Sequence, residues 1–165
     1  LNIDRKLISI IGHSMGGHLA IAGILDNQSV NCAVAYDGAN LGVGDVGIID
    51  DPNTTISWLE YSDSLFMLNG WSGKKAKQEL KTHAKTLNLV RRVNTLNGRS
   101  VLLIAADTDV IPLKSHIEPL LEALVNTNNS DVTYKLIDDD HSFNSSRTEL
   151  ISTTQNFLNT KCKAK

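Results

Sequence analysis

The feature that most constrains this chain is a serine set between glycines directly after a short apolar run. Residues Lys6–Ile11 are rich in isoleucine and lead into Gly12-His13-Ser14-Met15-Gly16. A short apolar run that stops at glycine predicts a buried strand, and the helix formers from Met15 to Leu25 predict a helix straight after it. The turn between them must be sharp. We expect glycine two residues before and two after the serine, because a β-carbon there would collide with the neighbouring strand or helix.

Further apolar runs follow, and helical patterns separate them. The predicted strands are Cys32–Tyr36, Ser100–Ala106 and Val132–Ile137, and the predicted helices are Pro112–Val125 and Ser146–Leu158. Strands that alternate with helices indicate a parallel sheet with helices on both faces. The sequence therefore predicts an α/β fold, with a mostly parallel sheet flanked by helices.

Residues 38–98 interrupt this alternation. A glycine-rich loop leads into the apolar segment Ile56–Leu68, and a lysine-rich helix is predicted from Lys74 to about Thr86. The chain shows no internal repeat and no second core. We therefore predict one domain over residues 1–165, with a helical cap or lid inserted at about 41–98.

A serine on such a turn is suited to nucleophilic catalysis when a base and an acid lie beside it. The chain order that this turn requires is serine, then an acid, then histidine, with each placed just beyond a strand. Asp109 follows the third predicted strand and His141 follows the fourth. We predict Ser14 as nucleophile, His141 as base, Asp109 as acid and the N–H of Met15 as an oxyanion donor. The alternative is a turn that only packs or binds phosphate, although the Lys-Ser or Lys-Thr pair of a phosphate loop is missing.

The identity of the acid stays open between several aspartates. Asp109 lies three residues after Ala106, the small residue that closes the third strand, and we favour it. Asp107, in the same loop, is the alternative acid. If Asp109 is the acid, Asp107 would fix the turn through local hydrogen bonds. Asp37, just past the second strand, is a third candidate. Of the other histidines, His13 directly before the serine is expected only to pack or hydrogen-bond locally.

These residues resemble the α/β-hydrolase superfamily. The matching segments are Gly12–Gly17, Asp107–Pro112 and Asp140–Phe143. Within the superfamily, the approach Leu1–Leu7 and the His-Ser-Phe segment before the final helix resemble dienelactone-hydrolase-like and prolyl-oligopeptidase-like esterases. His116 and Pro119, after the aspartate loop, are similar to the pattern of cutinase-like esterases.

The resemblance implies that this chain begins at the strand that carries the nucleophile. The early strands of the superfamily, and the loop that gives its second oxyanion amide, would then be missing. The first predicted strand would be left as an open edge. A second chain or segment would supply the N-terminal half of the fold.

The implied activity is that of a serine hydrolase that cleaves a carboxylic ester through an acyl-enzyme, without metal or organic cofactor. The substrate would be a small ester or acyl compound, and Trp58, Phe66 and Trp71 of the cap are candidates for binding it. Anchoring the cap to the core is the alternative role of these side chains. A peptidase or thioesterase would use the same triad, and a non-catalytic binding or assembly module is the remaining alternative.

Composition excludes several other classes of protein. Net charge is −2, with both signs interspersed, which argues against a nucleic-acid partner, and no apolar run reaches the length of a membrane span. Cys32 and Cys162 lack metal-site or redox spacing. We expect Cys32 to fill the core and Cys162 to lie unpaired in the lysine-rich tail, with a disulfide between them as the alternative. A cytoplasmic location is favoured over a secreted one, and both stay open.

Overall fold

The computed structural model describes residues 8–46, 59–109, 111–127 and 131–163. The chain divides into two compact units, one formed by Leu1–Ala39 with Leu89–Lys165 and the other by Asn40–Asn88. Residues 89–98 therefore group with the first unit. The arrangement of one domain with an inserted cap at about 41–98 stays a prediction.

The first unit is built on a parallel sheet. Its strands are β1 (Ile8–His13), β2 (Val30–Tyr36), β3 (Ser100–Ala106) and β4 (Asp131–Ile137). They lie side by side in chain order, and each neighbouring pair is parallel. The predicted α/β fold is confirmed. Because all four strands run the same way, their C-terminal ends lie along one edge of the sheet.

Helices cover the strands of this unit. They are α1 (Met15–Asp26), α3 (Leu113–His116), α4 (Glu118–Val125) and α5 (Arg147–Lys161), and a 3₁₀ segment covers Leu89–Leu96. Residues on alternate positions of β2 and β3 belong to separate buried clusters: Ala33 and Leu103 lie with α1 and α4, whereas Val34 and Leu102 lie with α5. Both faces of the sheet are therefore buried, as the continuous apolar runs predict.

The single helix predicted over Pro112–Val125 is two helices, α3 and α4, which meet at Ile117. Pro119 lies in the first turn of α4. A proline has no N–H to donate and its ring clashes with the carbonyl of the preceding turn, so it is tolerated at a helix start but not within a helix. The sequence interpretation missed this break because the apolar spacing continues across it.

The second unit contains helical residues 59–64, the 3₁₀ segment Leu41–Val46 and the lysine-rich helix α2 (Gly73–Leu87). The hydroxyl of Ser72 accepts a hydrogen bond from the Lys75 N–H at 3.3 Å and thus caps α2. The carboxylate of Asp63 accepts a hydrogen bond from the Gly73 N–H at 2.7 Å. The predicted helix is therefore present, with its first turn fixed by polar side chains. No helix in the described ranges has the length and apolar character needed to cross a membrane.

The glycines around Ser14 have unequal roles. A β-carbon on Gly12 would lie 1.9 Å from the carbonyl oxygen of Gly16, and one on Gly17 would lie 2.7 Å from the Cα of Gly38. A β-carbon on Gly16 would have no atom of the described chain within 4 Å. The expectation that Gly16 is needed for lack of space is therefore wrong. Gly17 is the position that has no room for a β-carbon, because α1 contacts the loop after β2 there.

We expect Gly12→Ala and Gly17→Ala each to lower the free energy of unfolding by at least about 2 kcal/mol, since backbone would have to move to make room. Gly16→Ala is the matched control. It should leave stability unchanged or raise it by up to about 1 kcal/mol, because alanine is the better helix former. Urea unfolding of the three variants measures this. Equal destabilisation by all three would contradict the close contacts described above.

Cys32 and Cys162 form a disulfide, with their Cα atoms 5.6 Å apart. The expectation that they stay unpaired is wrong. Helix α5 packs on the sheet face that contains Cys32, and Cys162 directly follows its last turn. The packing of that helix, and not the distance along the sequence, therefore decides the pairing.

Removal of this disulfide by the double substitution C32A/C162A should lower the free energy of unfolding by about 2–5 kcal/mol, because the bond closes a long loop of the unfolded chain. Denaturant unfolding with and without a reducing agent measures the effect. The reducing agent should destabilise the original protein and leave the double variant unchanged. Two titratable thiols in the folded, unreduced protein would contradict the pairing.

Candidate active site

Ser14 lies on the turn between β1 and α1 in a strained conformation, with φ 58° and ψ −121°. Few residues other than glycine adopt such a backbone, which persists only where the surroundings hold it. Here the Ser14 N–H donates to the carbonyl of Tyr36 at 2.8 Å, and its own carbonyl accepts from the His18 N–H at 3.2 Å. The hydroxyl makes no hydrogen bond within the described ranges. It is therefore left available on a turn whose backbone is fixed.

The start of α1 adds donors at the same place. Met15 is the first residue of this helix, so its N–H has no hydrogen-bond acceptor within the helix. The N-terminal end of a helix also carries a partial positive charge. An oxyanion formed at Ser14 would lie beside this N–H group.

Asp109 and His141 form the closest contact between titratable side chains in this region. The Nδ1 atom of His141 lies 2.9 Å from each carboxylate oxygen of Asp109. The Asp109 side chain is 1% exposed and the imidazole is 26% exposed. A neutral imidazole that donates from Nδ1 keeps a lone pair on Nε2. The pair can therefore act as an oriented base with a partly exposed imidazole.

The contacts with His141 distinguish between the three aspartates that the sequence offers as the acid. Asp109 lies within hydrogen-bond distance of His141, whereas the closest oxygen of Asp37 lies at 3.7 Å from the same Nδ1 atom. Asp107 is exposed, and its N–H donates to the carbonyl of Ile137 at 3.0 Å. Asp107 makes no contact with the imidazole in the described structure. Asp109 is therefore the acid that the geometry favours.

The loop that carries His141 is held by Asp139. Its carboxylate accepts hydrogen bonds from the N–H of Asp140 at 2.8 Å and of Ser146 at 2.7 Å. Its carbonyl accepts one from the hydroxyl of Thr108 at 2.6 Å. Since Thr108 lies next to Asp109, this bond ties the loop of the acid to the loop of the histidine.

His13 has a role that the sequence did not reveal. Its Nε2 atom donates to the carbonyl of His141 at 2.7 Å, and the two ring centres are 4.5 Å apart. His13 also directly precedes Ser14. It thus links the chain on either side of the proposed reaction centre, although the sequence predicts only local packing for it. The sequence signal for this contact was the position of His13 at the end of β1.

Asp37 is a further buried carboxyl at this edge of the sheet. Its Oδ1 atom accepts from the Ala106 N–H at 2.7 Å, whereas Oδ2 is buried without a hydrogen-bond donor in the described structure. Burial raises the pKa of Asp37 to about 8; the Ala106 N–H opposes this rise and the neighbouring Asp109 carboxylate adds to it. The group is therefore protonated over much of the neutral range.

His18 is structural by comparison. It is 2% exposed, and its Nδ1–H donates to the carbonyl of Ala39 at 3.1 Å. Burial lowers the pKa of His18 to about 4; the hydrogen bond to Ala39 opposes this shift, and the charge of Arg92 adds to it. A neutral, enclosed imidazole of this kind supports the packing of α1.

One ring nitrogen each from His13 and His141 and a carboxylate oxygen of Asp37 lie within 4.8 Å of one another, a spacing that would also suit a metal ion. Both imidazoles, however, already form hydrogen bonds at 2.7 and 2.9 Å. These hydrogen bonds use one nitrogen of each ring and give each ring a carbonyl or carboxylate partner. We assign the three groups to the hydrogen-bond network described above.

The predicted substrate-binding residues all come from the segment that the sequence predicts as a cap. Trp58 lies outside the described residues. Phe66 and Trp71 belong to the second unit, where their side chains are 90% and 39% exposed. Their role in substrate binding stays a prediction.

The chain is similar to hydrolases in sequence over part of its length and in structure over nearly all of it. Residues 1–54 of the 165 match the family model of platelet-activating factor acetylhydrolase, isoform II. No curated protein sequence matches the chain. Among solved structures, an acylaminoacyl peptidase of Pyrococcus horikoshii matches 97% of this chain at 16% identity, with a TM-score of 0.70. An esterase of Pyrococcus furiosus matches 96% of it at 19% identity, with a TM-score of 0.63.

These matches cover only part of the other proteins. The chain spans 25% of the peptidase and 55% of the esterase. Both neighbours are α/β-hydrolases, and the parallel sheet with helices on both faces agrees with that architecture. The chain therefore has the α/β-hydrolase fold, of which it covers a part.

Proposed function

We propose that this chain carries the catalytic triad of a serine hydrolase that cleaves carboxylic esters. The observation that carries the proposal is the buried Asp109 carboxylate at 2.9 Å from His141 Nδ1, at the sheet edge where Ser14 occupies a strained turn. Proximity alone is common among surface charges. The proposal places the Ser14 hydroxyl within reach of this imidazole, since a base oriented by a buried acid is what activates a serine hydroxyl.

In this mechanism the hydroxyl of Ser14 attacks the ester carbonyl while Nε2 of His141 takes its proton. Asp109 orients the imidazole and stabilises the imidazolium, and the Met15 N–H donates to the oxyanion. His141 then protonates the departing alcohol, which leaves an acyl group on Ser14. Water, deprotonated by the same imidazole, releases the acid and restores the serine. The chain's own residues thus supply every proton transfer.

Esters are favoured as substrates over amides by the family model that matches residues 1–54, since its name specifies an acetylhydrolase. The acylaminoacyl peptidase among the structural neighbours supports amide cleavage as the second candidate. As further parts of the proposal, a second segment or chain completes the fold, and Trp58, Phe66 and Trp71 contact the acyl group.

Labelling with a fluorophosphonate tests the nucleophile. We expect one covalent adduct on Ser14 of the full-length protein and none in Ser14→Ala. Asp109→Asn should slow labelling and ester hydrolysis by about 10³–10⁴-fold, the loss expected when the acid of a triad becomes an amide. Asp107→Asn removes a carboxylate from the same loop and is the matched control, with activity close to that of the original protein.

A folded, full-length protein without an adduct on Ser14 would rule out the hydrolase and favour a binding module. Equal losses in Asp107→Asn and Asp109→Asn would contradict the assignment of the acid. Rates on matched p-nitrophenyl esters and aminoacyl p-nitroanilides separate the two substrate classes. We expect hydrolysis of short-chain esters to have the higher kcat/KM.

A further inference from the structure

The mechanism above leaves Asp37 unused, although it is the second buried carboxyl beside the proposed base. Its side chain is 1% exposed, and its Oδ2 atom lies 3.7 Å from Nδ1 of His141. The backbone holds it there: the Asp37 N–H donates to the carbonyl of Ile104 at 2.8 Å, and its φ of 43° lies in the left-handed region. Aspartate and asparagine tolerate that region better than most residues.

The hydrogen bonds of Asp37 are unequal between its two oxygens. Oδ1 accepts from the Ala106 N–H at 2.7 Å, whereas Oδ2 has no donor in the described structure. Nδ1 of His141 lies 3.7 Å from Oδ2, and its N–H donates to Asp109 instead. A buried anionic oxygen without a donor is costly. A proton on Oδ2 removes this cost and turns the atom into a donor. The Asp109 carboxylate, which lies 2.9 Å from the same Nδ1 atom, is the acceptor on that side.

We propose that Asp37 is a positioning residue that keeps a proton on Oδ2 at neutral pH and donates it in a hydrogen bond to Asp109. That bond would fix the Asp109 carboxylate against the imidazole of His141, and the two acids together would hold a single negative charge. The proposal rests on the proposed function for its effect on rate, but the proton on Asp37 can be measured without any activity.

Several titratable groups face this carboxyl from the surrounding elements. They are His13 at the end of β1, Asp109 after β3 and His141 after β4. On β4, burial first and then the charges of Glu118 and Asp37 raise the pKa of Tyr134. Loss of the Asp37 proton would add a second negative charge to this group and remove the donor to Asp109. We therefore expect acylation to weaken as pH rises through the pKa of Asp37, which burial places at about 8.

The kinetic test compares Asp37→Asn, Asp37→Ala and the original full-length protein, with p-nitrophenyl acetate as substrate. An asparagine amide can accept from Ala106 and donate to Asp109, as the protonated acid does. We expect Asp37→Ala to lower kcat with little change in KM, and Asp37→Asn to recover most of that loss. Between pH 7 and 9 the original protein should lose about tenfold in kcat, the change in protonated fraction across such a pKa, and Asp37→Asn should not.

Asp138→Asn is the control for charge, because it removes an exposed carboxylate near the loop of His141 and should keep the alkaline decline. The same decline in Asp37→Asn would overturn the proposal. So would an Asp37→Asn variant as slow as Asp37→Ala when both are folded. If Ser14 forms no adduct in the original protein, the proposed function fails, and the following measurements decide the state of Asp37 alone.

Infrared spectra and stability report the proton directly. The original protein should show the C=O stretch of a buried carboxylic acid at pH 6.5, absent from Asp37→Asn and lost above pH 8. A raised pKa in the folded state contributes stability that is complete below the ordinary carboxyl pKa and is lost as pH rises to about 8. The stability of the original protein relative to Asp37→Asn should therefore fall over this window. No such band and a constant difference would overturn the proposal.

Discussion

Parallel pairing of the four strands is the constraint on which the described site depends. Because β1 to β4 lie in chain order and run the same way, the loops at their C-terminal ends meet at one edge. Ser14, Asp37, Asp109 and His141 follow β1, β2, β3 and β4 respectively. Residues far apart in the sequence thus reach the same end of the sheet through backbone hydrogen bonds that involve none of their side chains. Each side chain then needs only a local turn to reach its position.

The chemistry of the two aspartates at this site depends on their burial. Asp109 and Asp37 are both 1% exposed, and a carboxylate removed from water depends on the donors that surround it. Asp109 has such donors, since His141 Nδ1 lies at 2.9 Å and the Ile111 N–H at 3.1 Å. The second oxygen of Asp37 has none among the described residues. Two similar carboxyls that follow adjacent strands therefore differ in their hydrogen bonds.

Much of this arrangement could be predicted from the sequence, since it depends on short-range signals. Apolar runs predicted the strands, and polar residues in the segments that follow them gave Ser14, Asp109 and His141 as candidates. Other features depend on packing between distant elements. The approach of Gly17 to Gly38 is set by α1 against β2, and the bond from His13 to His141 joins opposite ends of the sequence. No local pattern encodes contacts of that kind.

The disulfide escaped prediction for the same reason. Cys162 lies beyond a helix whose packing face only the folded chain defines, and it meets Cys32 on the buried side of β2. The sequence favoured Asp109 as the acid and left Asp107 and Asp37 open. The distances to His141 Nδ1 that separate Asp109 from Asp37, 2.9 Å and 3.7 Å, are finer than the spacing of residues can resolve.

The position of β1 has a consequence for how the protein behaves in solution. β1 is the outermost strand of the described sheet, and Ile11 on it is half-exposed. An outer strand offers a row of backbone N–H and C=O groups to any extended peptide of suitable length. In the proposed completion of the fold, the added segment would pair along this row and cover it, so the complete fold would not present the row to other copies.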